Sequence, residues 1–175
     1  MSIDLERVGA AYKNWVEESL PDWQAGKIED AIKRYPFVVS EDIPWTPFKG
    51  QPSEKTIALV TSGGLYLKDS QPAFEAESIH GDPSYREIPR TVRPEDLGIA
   101  HPHFDHSLAE QDVNTIFPIQ RLVELEKEGT VGKVADTHYS FSYVNDVARL
   151  LTESVPKVIA RLQSERVGMV FLVPV

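Results

Sequence analysis

The sequence predicts an α/β protein with a mainly parallel sheet and βαβ crossovers, of the flavodoxin or Rossmann-like kind, preceded by a short helical lead-in. Three observations carry this. The runs TIALVT (56–61) and MVFLV (169–173) are apolar and β-branched without alternation, as strands covered on both faces require. IQRLVELEKE after Pro118 and the stretch 144–166 repeat apolar residues at helical spacing. Strands and helices alternate along the chain, which produces crossovers and not hairpins.

Residues 1–35 form the lead-in: Leu5, Val8, Tyr12, Trp15 and Val16 share a helical face, Pro21 stops the run, and Asp22 caps a second short helix to about Tyr35. Residues 36–55 hold Pro36, Pro44, Pro47 and Pro52, which fix φ and remove donors, so this segment is predicted to be an extended connector. Residues 56–175 form the α/β domain. Its first strand, 56–61, ends in Ser62, Gly63 and Gly64, and a weak second strand spans Leu97 to Ala100. Pro118 opens a helix with Leu122 and Leu125 on one face, and Gly129 ends it. A strand is expected over 133–139, then a helix over 144–166 that buries Val147, Leu150, Leu151, Val158, Ile159 and Leu162 and kinks or restarts at Pro156. Gly168 closes that helix, and MVFLV follows as a buried strand. A central strand usually has a covering helix after it, so the C-terminal part reads as incomplete.

Composition narrows the function. With 18 basic against 27 acidic residues the net charge is −9, which repels nucleic acid and anionic lipid. No stretch has the length and apolarity of a membrane span, and MSIDLERVGAAYKNW lacks a signal-peptide pattern, so a cytoplasmic protein is expected. The chain has no cysteine, hence no disulfide, thiolate metal site or cysteine nucleophile.

In parallel α/β sheets ligands sit outside the carboxyl ends of strands, which directs attention to the loops after 61, 100 and 173. Gly63 and Gly64 lack Cβ and could turn backbone N–H groups toward an anion such as a carboxylate, or simply form a tight turn. The string His101-Pro-His103-Phe-Asp105-His106 matches HxHxDH, the metal-ligand pattern of metallo-β-lactamase-like hydrolases, in which zinc activates water. Only His138 follows as a further imidazole, and the surrounding pattern is βαβ, so a pocket or loop cluster is favoured over zinc. Arg86 could pair with a carboxylate, or form a surface ion pair with Glu87 or Glu77. Asp112 and Asn114 could line a site, although turn capping explains them as well. The aromatic residues between His138 and Tyr143 read as core and loop filling.

Five segments occur in fixed order: WTPF at Trp45, ALVTSGGLYLK from Ala58, GDPSYREIP from Gly81, HPHFDH from His101, and DVNTIFPIQRLVELEKEGTVGKVA from Asp112. Together they resemble the selenoprotein B subunits of the glycine, betaine, sarcosine and D-proline reductases, from about Trp45 to Val175. The resemblance implies reductive cleavage of a carbon–nitrogen bond in a small amino acid or betaine, with a selenocysteine directly after Val175 and a cysteine shortly beyond it. A codon read as stop would explain the abrupt end. The chain itself then carries no cofactor. A pyruvoyl group on a partner subunit, a thioredoxin-like electron donor, other reductase subunits and an oligomeric assembly are what the resemblance implies as partners. Ser62, Gly63, Gly64 and His101 are the expected pocket residues for a small carboxylate substrate, followed by Arg86, Asp112 and Asn114. His103, His106 and the helical lead-in are departures from the family pattern.

Overall fold

A computed structural model describes residues 3–39 and 46–175; Pro44 and Trp45, central to the predicted connector and to one resembling segment, lie outside the described residues. Helix α1 spans Leu5–Gln24, with Asp4 accepting from the Arg7 N–H at its start, and α2 spans Ile28–Ile32. Pro21 does not stop α1 but lies inside it. One ring removes a single donor, and the buried face of Tyr12, Trp15 and Ser19 carries the helix past it. Asp22 is therefore no cap; it pairs with Arg34 at 2.6 Å, and Gly26, at φ 75°, provides the left-handed turn that separates the helices.

Strand β1, Thr56–Thr61, forms over the predicted residues and is the centre of the sheet. Strand β2 (Leu65–Leu67) leaves the sheet to pair antiparallel with β4 (Leu97–Ile99), while β3 (Arg86–Pro89) joins the main sheet antiparallel. The weak strand at Leu97 thus exists, but in a separate ribbon. Short α3 (Ser107–Gln111) leads to α4 (Ile119–Lys127), which ends before Gly129 at φ 74°. The single strand expected over 133–139 is two pieces, β5 (Lys133–Val134) and β6 (Thr137–Ser140). Both run parallel to β1, with Thr56 opposite Lys133 and Thr61 opposite Ser140, so the register advances by two residues between them. At that step the Leu59 N–H donates to Nδ1 of His138 at 3.0 Å, a side chain replacing the interrupted ladder.

From β6 the chain crosses β1 through α5 (Val147–Arg149), a π-turn (Leu150–Ser154) and α6 (Val155–Ser164), and then forms β7 (Met169–Val173). The restart expected at Pro156 is this π-turn, which opens the hydrogen-bond pattern where proline has no N–H to give. The helix ends at Ser164, with Arg166 in the left-handed region at φ 54°, before Gly168. Strand β7 pairs with β1 along 57–61, so β5 and β6 share the opposite edge of β1 and β3 flanks β6. Four parallel strands and one antiparallel edge strand make the sheet mostly parallel.

The core lies on the face of Ile57 and Leu59, where Ile88, Phe117, Ile119, Leu122 and Val134 close against it. A second cluster of Tyr12, Trp15 and Ile79 joins the lead-in to the domain. Among the described residues no helix is long and apolar enough to cross a membrane.

Strand β7 is not the buried strand expected. Phe171 is 44% and Leu172 66% exposed, and among the described residues its outer edge has no partner. An uncharged apolar edge without proline or bulge lacks the devices that prevent edge pairing. We therefore expect the 175-residue chain to self-associate in concentration-dependent light scattering, with Leu172→Lys reducing association; a clean native monomer at high concentration would contradict this.

Candidate functional site at the carboxyl ends of the strands

A cleft of about 910 Å³ opens where β1 and β6 end and the chain leaves β7. Its lining includes Ser62 after β1, His101 and His103 after β4, Ser142 and Tyr143 after β6, and Val175 after β7. Helix α2 and its exit supply the remaining wall through Ile28, Glu29, Ile32, Lys33 and Phe37. This is the end of a parallel sheet at which neighbouring loops diverge and leave a crevice.

Two buried details bring the loops together. Gly64, at φ 69°, leaves no room for a Cβ, which would lie 2.5 Å from the Ala100 carbonyl oxygen and 3.0 Å from Cβ of His101. The Ser142 hydroxyl donates to the same Ala100 carbonyl at 2.7 Å. The loop after β4 is thus clamped between those after β1 and β6.

His101 is buried, and its Nδ1 accepts from the His103 N–H at 3.2 Å, which leaves the ring proton on Nε2. Burial, with His103 and His106 nearby, pushes its pKa down to about 4, so the imidazole is neutral at pH 7. His103 stands edge-on to Tyr143, with ring centroids 4.2 Å apart, and burial lowers its pKa also. Burial raises the Tyr143 phenol to about 12, and its hydroxyl is bonded by the Asn145 side chain. The Ser62 hydroxyl accepts from the Val175 N–H at 2.9 Å, which leaves its own hydrogen available to donate. The cleft therefore holds neutral hydrogen-bonding groups, with the charges of Glu29 and Lys33 at one wall.

Other expected site residues lie elsewhere. The amides of Ser62, Gly63 and Gly64 are engaged by Val173 O, Thr61 Oγ1 and Phe141 O, so the turn offers no free N–H nest to an anion. Arg86 is buried. Its guanidinium donates to the carbonyls of Pro72, Ala73 and Tyr85 and to the Ser84 hydroxyl, and it lies 4.1 Å from the centroid of the Phe74 ring. Asp82 is its ionic neighbour at 3.6 Å, not Glu87 or Glu77. Asp112 accepts from the Asn114 N–H and side chain, and Asn114 in turn bonds Gln120, which makes this an exposed turn cap outside the cleft. The HxHxDH string is likewise dispersed. Nε2 of His106 bonds the His101 carbonyl at 2.7 Å, and Asp105 accepts from the Ser107 N–H. Among the described residues no three His, Cys, Asp or Glu side chains converge as a metal site.

Sequence reasoning missed the α2 wall, Ser142 and Tyr143. Long-range contacts of the α1 tryptophans and of Tyr35 build this wall. Trp15 Nε1–H donates to the Ala31 carbonyl at 2.9 Å, holding α2, and Trp23 stacks on Tyr143 at 6.4 Å and 10°. Tyr35 reaches across to donate to the Asn145 carbonyl at 2.7 Å.

With this geometry in place, comparison with known proteins identifies the family. A sequence profile described as glycine/sarcosine/betaine reductase selenoprotein B matches residues 28–174, so the match includes α2 and leaves out α1. The D-proline reductase subunit gamma of Acetoanaerobium sticklandii is 30% identical over 129 residues, which cover 73% of this chain and 52% of that protein. The glycine reductase complex component B subunit gamma of Carboxydothermus hydrogenoformans is 31% identical over 116 residues, covering 65% of this chain and 26% of that protein. The betaine reductase complex component B subunit beta of Peptoclostridium acidaminophilum is 35% identical over 90 residues, covering 50% and 20%. The chain thus spans about half the length of the first relative and about a quarter or less of the other two. No solved structure matches it. The matched profile covers most of the chain and these relatives agree with it: the chain belongs to the glycine/sarcosine/betaine reductase selenoprotein B family.

Proposed function

We propose that the chain supplies the substrate-binding part of a selenoprotein B reductase that cleaves a carbon–nitrogen bond in a small amino acid or betaine. The observation that carries this is the convergence of Ser62, His101 and Val175 in one cleft at the carboxyl ends of the strands. Val175, after β7, lines the rim of that cleft. In this reading a reactive selenocysteine lying outside these 175 residues would provide the nucleophile for displacing nitrogen from the α-carbon. The residues of this chain bind and orient. The Ser62 hydroxyl and Nε2–H of His101 are two donors for a substrate carboxylate, and neutral His101 and protonated Tyr143 add no charge on that side of the cleft. The same reading includes partner reductase subunits, a thioredoxin-like electron donor, a pyruvoyl group on a partner for some substrates, and a cytoplasmic setting.

Titration calorimetry of the 175-residue chain with glycine, sarcosine, betaine and D-proline tests the binding role. At least one is expected to bind in the cleft, and His101→Ala is expected to weaken it about tenfold through loss of one bond to a charged group. No heat with any of the four overturns the reading.

A further inference from the structure

Resting on that reading, we propose that α2 is the specificity wall: the cleft takes an amino-acid zwitterion whose nitrogen carries alkyl groups, in preference to one with a bare ammonium. Helix α2 and the chain that leaves it present a carboxylate, Glu29, an ammonium, Lys33, and the apolar side chains Ile28, Ile32 and Phe37 to one cleft. Glu29 and Lys33 are four residues apart and share a helix face, yet Lys33 pairs with Asp30 at 3.1 Å. The Glu29 carboxylate is therefore not spent on Lys33. A substituted ammonium between Glu29 and the apolar groups gains charge attraction and apolar burial together, and the exposed ring of Phe37 adds an aromatic group that attracts such cations. A bare ammonium seeks three hydrogen-bond acceptors around it, and among the described residues of this wall the Glu29 carboxylate is the one side chain that accepts, from one direction. The carboxylate of the same ligand meets Ser62 and His101 on the opposite side.

Trp15 acts through α2 and not on ligand. Its bond to the Ala31 carbonyl fixes the helix that carries the wall, which makes it a positioning residue. Helix α1 lies outside the residues matched by the family profile, so this brace is an element additional to the shared domain.

The test is the ratio of affinities, measured by calorimetry for betaine, sarcosine, D-proline and glycine. Phe37 is 68% exposed and its ring meets Tyr35 at 4.9 Å, so Phe37→Ser removes a surface contact and leaves both core clusters intact. The native chain is expected to bind at least one N-alkylated ligand about tenfold more tightly than glycine. Phe37→Ser and Ile28→Ser should each reduce that ratio several-fold by weakening the alkylated ligand alone, and Glu29→Gln should weaken it while leaving the carboxylate side intact. If the native chain prefers glycine, or if both serine variants retain the native ratio, the specificity wall is wrong while the binding reading stands. If the native chain binds none of the four, both fall together.

Discussion

Arg86→Met is expected to lower the free energy of unfolding by about 3–5 kcal/mol, a larger effect than any substitution in the cleft. The guanidinium is buried, and its donors serve the carbonyls of Pro72, Ala73 and Tyr85 and the Ser84 hydroxyl. Methionine fills part of the volume over Phe74 but leaves these acceptors unpaired in the interior, and it leaves Asp82 without its cation. Arg86→Lys is also expected to destabilise, because one ammonium cannot span a fork of acceptors on both sides. Arg93 provides the control. It is exposed, with Asp96 beside it, and Arg93→Met should leave the urea midpoint unchanged. A native midpoint in Arg86→Met would show that the 72–86 loop is not held from this side chain.

The second large effect is a loss of stability in acid that traces to His138. Its ring is fully buried with Nδ1 occupied by the Leu59 N–H, so the proton is on Nε2, which has no partner among the described residues. Burial and the nearby Arg90 push its pKa from 6.5 down to about 4, with Asp136 opposing. Below pH 6.5 the unfolded chain takes up a proton that the folded chain refuses until about pH 4. Stability therefore falls as pH drops through that window, by about 3 kcal/mol from this residue, and this loss levels off below it. Protonation would also set a second N–H against that of Leu59 at the step between β5 and β6. His138→Asn keeps an acceptor for Leu59 and cannot titrate. Its urea midpoint is expected to fall less steeply between pH 6.5 and 4 than that of the native chain, with His101, lowered for the same reason, accounting for part of the remaining slope. Parallel curves for the two proteins would remove His138 from the account.

What was legible in the sequence was what neighbouring residues decide. The β-branched run at 56–61 and the helical spacing after Pro118 became β1 and α4 because each pattern is local and strong. Ser62 and His101 were singled out by the rule that sites lie beyond strand ends, and the fold brings both to one cleft there. Strands β2 and β3 were missed because they are short, and β3 ends in a proline and contains Arg86, whose place is set by a loop. The burial of MVFLV could not be read from its apolarity, which is the same whether or not a neighbour covers the strand, but poor shielding around Phe171 was expected from the missing covering element and Phe171 is 44% exposed. The α2 wall depends on contacts of still longer range, Trp15 with Ala31 and Tyr35 with Asn145, which no spacing in the sequence announces. Arg86, Asp112 and Asn114 have residue types suited to a site, but local hydrogen bonds consume them.

The central claim is that the cleft between α2 and the strand ends is where a small zwitterion binds, and amide chemical-shift mapping tests it most directly. With saturating betaine or D-proline added to the ¹⁵N-labelled chain, the account predicts shifts at Ser62, His101, His103, Tyr143 and residues 28–33, with Arg86, Asp112 and Asn114 unmoved. Shifts confined to the Asp112–Asn114 turn or the Arg86 loop, or none at any residue of the cleft, would contradict it.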